Sequence, residues 1–130
     1  MALRISELVL DCHDPVRLAR FWCEALDFVV VGREPDGSLE IGPTTGFGGP
    51  QPTMILSPST RQPRERGMLH FDVSPVESTL EAEVERLRGL GAEPADVGQT
   101  GEEDWVVLQD PEGNVFCVLQ RSLDMLPRAR

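Results

Sequence analysis

Lysine is absent from this 130-residue chain, so all 12 of its basic side chains are arginines. That removes Schiff-base chemistry on a side-chain amine from the reactions open to it. Cysteine is scarce. Cys12, Cys23 and Cys117 are odd in number and far apart, which excludes a disulfide framework and the CxxC spacing of zinc or redox motifs. Such thiols are expected as small reduced core residues. No apolar run approaches the roughly 20 residues of a membrane-spanning helix. The start, Met1-Ala2-Leu3-Arg4-Ile5, lacks the apolar stretch and cleavage site of a secretory signal, and a cytoplasmic location is expected. Positive charge is also in deficit: 12 Arg against 22 Asp plus Glu leave a formal charge of −10. A surface of that sign repels phosphate backbones and anionic headgroups, so neither nucleic acid nor a membrane is an expected partner.

What is present is an ordinary globular balance, 40% apolar and 26% charged, in a length that buries one domain's core without disulfides. Residues 5–11 alternate as a half-buried strand, with Leu8 and Leu10 on one face and Glu7, Val9 and Asp11 on the other. Asp14-Pro15 supplies an N-cap followed by proline at the first helical position, and Leu18, Phe21, Trp22, Ala25 and Leu26 form one apolar helix face. Strands are predicted over 28–31, 39–41 and 53–56, separated by Pro35-Asp36-Gly37 and by the Gly46-Phe47-Gly48-Gly49-Pro50 turn. Residues 59–67 read as a linker carrying Arg61, Arg64 and Arg66, a solvated basic segment by default and a carboxylate or phosphate contact in the sharper reading.

The pattern then restarts. A strand is predicted over 68–73, then a capping box at Ser74-Pro75-Val76-Glu77 leading into Leu80, Val84, Leu87 and Leu90, with Gly91 ending the helix. Strands follow over 92–97, 105–109 and 115–120, the last after the turn Asp110-Pro111-Glu112-Gly113-Asn114. The chain therefore reads as two βαβββ modules, about 3–58 and 68–121, in a single 1–130 domain with a tail at 122–130. The expected fold is α+β: eight strands curving around a central cup, with both helices on the outer face.

Leu8-Val9-Leu10-Asp11 with Asp14-Pro15 and Phe21-Trp22, then Leu69-His70-Phe71-Asp72, then Trp105-Val106-Val107-Leu108 with Asp110-Pro111-Glu112-Gly113-Asn114-Val115-Phe116, together resemble the glyoxalase/bleomycin-resistance/extradiol-dioxygenase superfamily. Its fold is called vicinal oxygen chelate, and the resemblance runs over about residues 3–121. It implies that the ligand set of metal-dependent members, His, Glu or Gln, His and Glu, maps onto Glu7, Met54 or Ile55, His70 and Cys117. Only His70 keeps the family's residue type. No bound metal and no cofactor is therefore expected, with a mixed oxygen, nitrogen and sulfur zinc site at the degenerate positions Glu7, His70 and Cys117 as the alternative. Cys117 alone reads as a core thiol in an apolar strand.

By alternation His70 and Asp72 share the cup face, while Leu69, Phe71 and Val73 face the helix. With Glu7 opposite, His70 forms either a satisfied structural histidine or a carboxylate–imidazole pair able to bind or deprotonate a polar ligand. Trp105 and Phe47 offer rings for stacking on an aromatic ligand, and Trp22 reads as core. His13 and Cys12 read as loop residues, and the Gly46–Gly49 turn is no phosphate loop, because no GK[ST] follows.

The functional expectation is a glyoxalase-like, metal-independent protein that binds a small organic molecule through Glu7, His70, Asp72, Trp105, Cys117, Met54 and Phe47, as resistance proteins of that superfamily sequester drugs. The alternative is an enzyme: a lyase, isomerase or dioxygenase with a degenerate metal site, or an acid–base catalyst using His70 and Glu7. The sequence leaves open whether any reaction is catalysed. A two-fold homodimer is expected, because it protects exposed sheet edges.

Overall fold

The computed structural model describes residues 4–60, 70–96, 99–120 and 122–123. The chain divides into two compact units, with the division at Arg66 and Gly67. Arg61, Arg64 and Arg66 of the expected basic cluster lie outside the described residues.

The first unit runs β1 (Glu7–Cys12), α1 (Pro15–Leu26), β2 (Val29–Arg33), β3 (Leu39–Gly42) and β4 (Thr53–Pro58). The Asp14 carboxylate accepts from the Arg17 amide at 3.1 Å, and Pro15 opens the helix without sacrificing a bonded N–H. The four strands form one mixed sheet in the order β1-β4-β3-β2, with β1 parallel to β4. Leu18, Phe21 and Trp22 of α1 are buried, as are Leu39, Ile41, Met54 and Leu56 of the sheet, and α1 packs on β3 and β4. The Phe21 and Trp22 rings meet edge to face, 5.0 Å apart, so Trp22 is a core residue.

The second unit repeats this order: β5 (Phe71–Val73), α2 (Leu80–Leu90), β6 (Glu93–Pro94), β7 (Trp105–Gln109) and β8 (Val115–Leu119). Its sheet reads β5-β8-β7-β6, again with the first strand parallel to the last. The fold is α+β, two four-stranded mixed sheets each with one helix, and neither sheet closes on itself.

The second helix begins later than the sequence suggests. Ser74-Pro75-Val76-Glu77 is no capping box. Val76 forms a parallel bridge with Leu123, the Leu123 amide donates to the Pro75 carbonyl at 2.7 Å, and the Glu77 amide donates to the Leu123 carbonyl at 3.0 Å. Strand-like pairing thus engages the backbone that a helix would have used, and Glu77 turns the chain at φ 51°. The cap is Thr79, whose hydroxyl accepts from the Ala82 amide at 3.2 Å. Glu81 and Glu83 then place negative charge in the first turn, where the helix dipole favours it. The sixth strand is also shorter than the expected 92–97. Among the described residues only Glu93–Pro94 pairs as a strand, although the Ala95 amide still donates to the Val107 carbonyl at 3.2 Å.

The turn before β8 is fixed by one carboxylate. Asp110 is 2% exposed. Its Oδ1 accepts from the amides of Glu112 and Asn114, each at 2.9 Å, and the Asn114 side-chain amide donates to both carboxylate oxygens. Gly113 sits at φ 85°, where a side chain would be strained. This turn sets the antiparallel register that places Val107 opposite Cys117.

Candidate functional site

Each sheet has one well-buried face and one that is only partly covered. In the second unit, Phe71 pairs with Phe116 and Val73 with Val118, and Phe116, Val118 and Leu108 are buried. The pleat therefore sends Asp72 and its register partner Cys117 to the other face. Val107, opposite Cys117, and Leu119, opposite Trp105, lie on that face too. Trp105 is 44% exposed.

His70 closes the polar end of this face. Its Nε2 lies 3.3 Å from Asp72 Oδ1, and both side chains are about half exposed. The Cys117 thiol is half-buried. Its pKa is raised first by that burial, then by the charge of Asp72 and by the hydrogen bond that Asp72 accepts from it. Cys117 is consequently a protonated thiol at neutral pH rather than a nucleophilic thiolate. One carboxylate thus bridges an imidazole and a thiol. Among the described residues these three form a group whose donor atoms all lie within 4.8 Å of one another.

The other expected site residues stand in the first unit. Glu7 lies on the edge strand β1, paired with Thr53, and its face also carries Val9, Asp11, Ile55 and Ser57. Thr53 is fully buried, and its hydroxyl donates to Glu40 Oε2 at 2.6 Å. Ile55 shares the Glu7 face, whereas Met54 is 4% exposed on the core face with Leu56. Phe47 is 62% exposed in the β3–β4 loop, where the Gly46 amide donates to the Pro43 carbonyl at 2.8 Å and the Arg4 guanidinium to the Gly49 carbonyl at 2.9 Å. The partner that the structure gives His70 is Asp72, two residues away on the same face. Alternation in the sequence placed these two together, and the family resemblance set Cys117 beside His70. Only the parallel β5–β8 register brings the thiol in.

These two repeated sheets, each a helix-backed βαβββ unit with its first strand parallel to its last, define a vicinal oxygen chelate protein of the glyoxalase/bleomycin-resistance/dioxygenase superfamily. More narrowly, the glyoxalase-like domain family model matches residues 7–119, and the chain belongs to that family. Among solved structures it is similar to the fosfomycin resistance protein FosX from Listeria monocytogenes, crystallised as a point mutant with Mn(II) and 1S,2S-dihydroxypropylphosphonic acid. That match has a TM-score of 0.68 and 14% identity over 92% of this chain and 90% of the other. It is also similar to TnmS3, an antibiotic-binding protein from Streptomyces sp. CB03234, with a TM-score of 0.62 and 20% identity over 94% of this chain and 99% of the other. A third is a glyoxalase/bleomycin resistance protein/dioxygenase family enzyme from Burkholderia phytofirmans PsJN, with a TM-score of 0.63 and 16% identity over 89% and 97% of the two chains. By sequence the chain matches no curated protein. At these identities the structural likeness carries the fold alone.

The FosX point mutant was crystallised with Mn(II), and the donor atoms of this chain can be compared with what that ion favours. A hard ion such as Mn(II) favours carboxylate, carbonyl and water oxygens. The His70–Asp72–Cys117 group offers one carboxylate, one imidazole and a sulfur, a poor match for that ion, so no catalytic step is derived through it. Without a metal the group can still act on a ligand by hydrogen bonding. Asp72 accepts, His70 donates or accepts, and Trp105 and Leu119 supply apolar surface on the same face.

Proposed function

We propose that this protein binds a small organic molecule on the His70–Asp72–Cys117 face of its second sheet and needs no catalytic metal to do so. The observation that supports this is the composition of that face: a compact polar corner beside apolar side chains, with Trp105 44% exposed. A few convergent polar groups on an apolar lining are what orient and hold a ligand. Protonation of Cys117 favours capture over covalent chemistry. The protein acts in this reading as a cytoplasmic homodimer. Val9, 65% exposed on the edge strand β1, gives that strand reason to be covered. Light scattering should return twice the 14.4 kDa chain mass, and a monomer at micromolar concentration refutes the dimer.

The binding reading is tested by a thermal-shift screen of drug-like compounds in the presence of a chelator, each hit then being recovered and weighed by mass spectrometry. A ligand at 100 times its Kd stabilises by about 2.7 kcal/mol, which for a domain of this size raises the melting temperature by roughly 8–14 °C. The expected hit stabilises without metal and is recovered unchanged. Stabilisation seen only with added metal, or a hit returned as product, overturns the reading in favour of an enzyme.

A further inference from the structure

We propose that the small molecule held on the His70–Asp72–Cys117 face is an organic cation, an amine or amidine carried on an aromatic skeleton, and not a neutral or acidic compound. This rests on the binding reading above and adds to it the charge and the span of the ligand. The sign of the face is the first observation. Alternation along β7 and its register with β6 put Trp105, Val107, Gln109 and Glu93 on one side of the sheet, the side of Cys117 and Asp72. Among the described residues its carboxylates are thus Asp72 and Glu93, and no arginine joins them. The described arginines of this unit, Arg86 and Arg88, stand on α2, and Arg86 already pairs with Glu83 at 3.1 Å. An acidic ligand meets like charge on this face, whereas a cation meets the opposite one.

The second observation is what Asp72 has left to offer. An ionised carboxylate has about four lone-pair sites. The Cys117 thiol takes one, and His70 Nε2, 3.3 Å from Oδ1, takes another. The side chain is about half exposed, so the remaining sites are open to the N–H donors of an ammonium or amidinium head group. Hydrogen bonds between two charged partners are the strong ones. The strand register supplies the length. Asp72 lies opposite Cys117 on β8, Cys117 lies opposite Val107 on β7, and Trp105 is two residues from Val107. Two strand spacings of about 4.8 Å and two rises of about 3.3 Å therefore set Asp72 and Trp105 roughly 12 Å apart. Leu119, the register partner of Trp105, is apolar ground between them. Trp105 is 44% exposed and gives its ring to the far end of the molecule. A skeleton of linked or fused rings fits this spacing, with its cationic group at Asp72.

The test is a library of bicyclic and tricyclic aromatic amines, together with the alcohols and carboxylic acids of the same skeletons, titrated into the protein with chelator present and followed by its amide and side-chain chemical shifts. The expected result is saturable shifts at His70, Asp72, Cys117 and Trp105 with the amines, which bind at least tenfold more tightly than the matched alcohols, and no binding of the acids. Raising sodium chloride from about 0.05 M to about 0.5 M should weaken the amines several-fold and leave the alcohols unchanged, because salt screens a half-exposed charge pair. Asp72→Asn should bring each amine down to the affinity of its alcohol with unchanged circular dichroism, and Asp72→Glu should keep the preference for amines. Trp105→Leu should weaken the larger amines but not benzylamine, which is too short to reach from Asp72 to the indole. Alcohols or acids that bind this face as tightly as their amines, or an amine preference that survives Asp72→Asn, overturn the charge assignment and leave small-molecule capture standing. An equal effect of Trp105→Leu on benzylamine and the larger amines overturns the span. Absence of shifts on this face with every member of the library overturns both the inference and the binding reading on which it rests.

Discussion

Replacing Asp110 by alanine removes the acceptor that defines the β7–β8 turn, and the cost follows from its contacts. Its carboxylate receives the backbone amides of Glu112 and Asn114 at 2.9 Å and the Asn114 side chain on both oxygens. Hydrogen bonds to a charged acceptor contribute about 1.5–3 kcal/mol each when water cannot substitute. Here Asp110 is 2% exposed but Glu112 and Asn114 are half-buried, so water recovers part of the loss. A net destabilisation of about 2–4 kcal/mol is expected, within the range of a broken buried network. Asp110→Asn keeps an oxygen for the two backbone amides but turns an NH2 group towards Asn114, and should cost about 1–2 kcal/mol. Urea unfolding followed by circular dichroism reads both. With a slope near 1.5 kcal/mol/M, the alanine variant should unfold roughly 1.3–2.7 M earlier than the parent. A loss under about 1 kcal/mol for Asp110→Ala would show that the turn is held by its backbone bonds and Gly113 alone.

Two further expectations rest on single contacts. Thr79→Ala should cost about 1 kcal/mol, because Thr79 is the residue whose hydroxyl caps α2. Ser74→Ala should cost distinctly less in the same unfolding assay, and the reverse order contradicts the helix start described here. Glu103 accepts from the amides of Thr100 and Gly101, and these bonds, that of Thr100 foremost, lower its pKa. Its contribution to loop order is therefore complete above the ordinary carboxylate value and fades as pH falls through the lowered one. An NMR titration that places Glu103 at the ordinary glutamate value refutes this.

The repeat was legible because its signals are local. Alternation in β1, the Asp14-Pro15 helix start and the Asp110–Asn114 turn each depend on a few neighbouring residues, and all appear in the structure at those places. The start of α2 was not legible. Ser74-Pro75-Val76-Glu77 satisfies every local rule for a cap, and it is overruled by a bridge to Leu123, far along the chain. The site divides in the same way. Alternation alone put His70 and Asp72 on one face. The arrival of Cys117 depends on a parallel strand register that no local pattern encodes. Met54 and Ile55 looked equivalent in sequence because both are apolar; the β1–β4 register separates them, Met54 onto the core face and Ile55 onto that of Glu7.

The most direct test of the account is to map the strongest metal-free hit of the ligand screen onto the protein by amide and side-chain chemical shifts, with chelator present throughout. The account predicts saturable shifts centred on His70, Asp72, Trp105 and Cys117, and at least tenfold weaker binding in His70→Ala with stability lowered only modestly, as expected of a half-exposed side chain. Shifts confined to residues away from the β5–β8–β7 face, or unchanged affinity in His70→Ala, would contradict it.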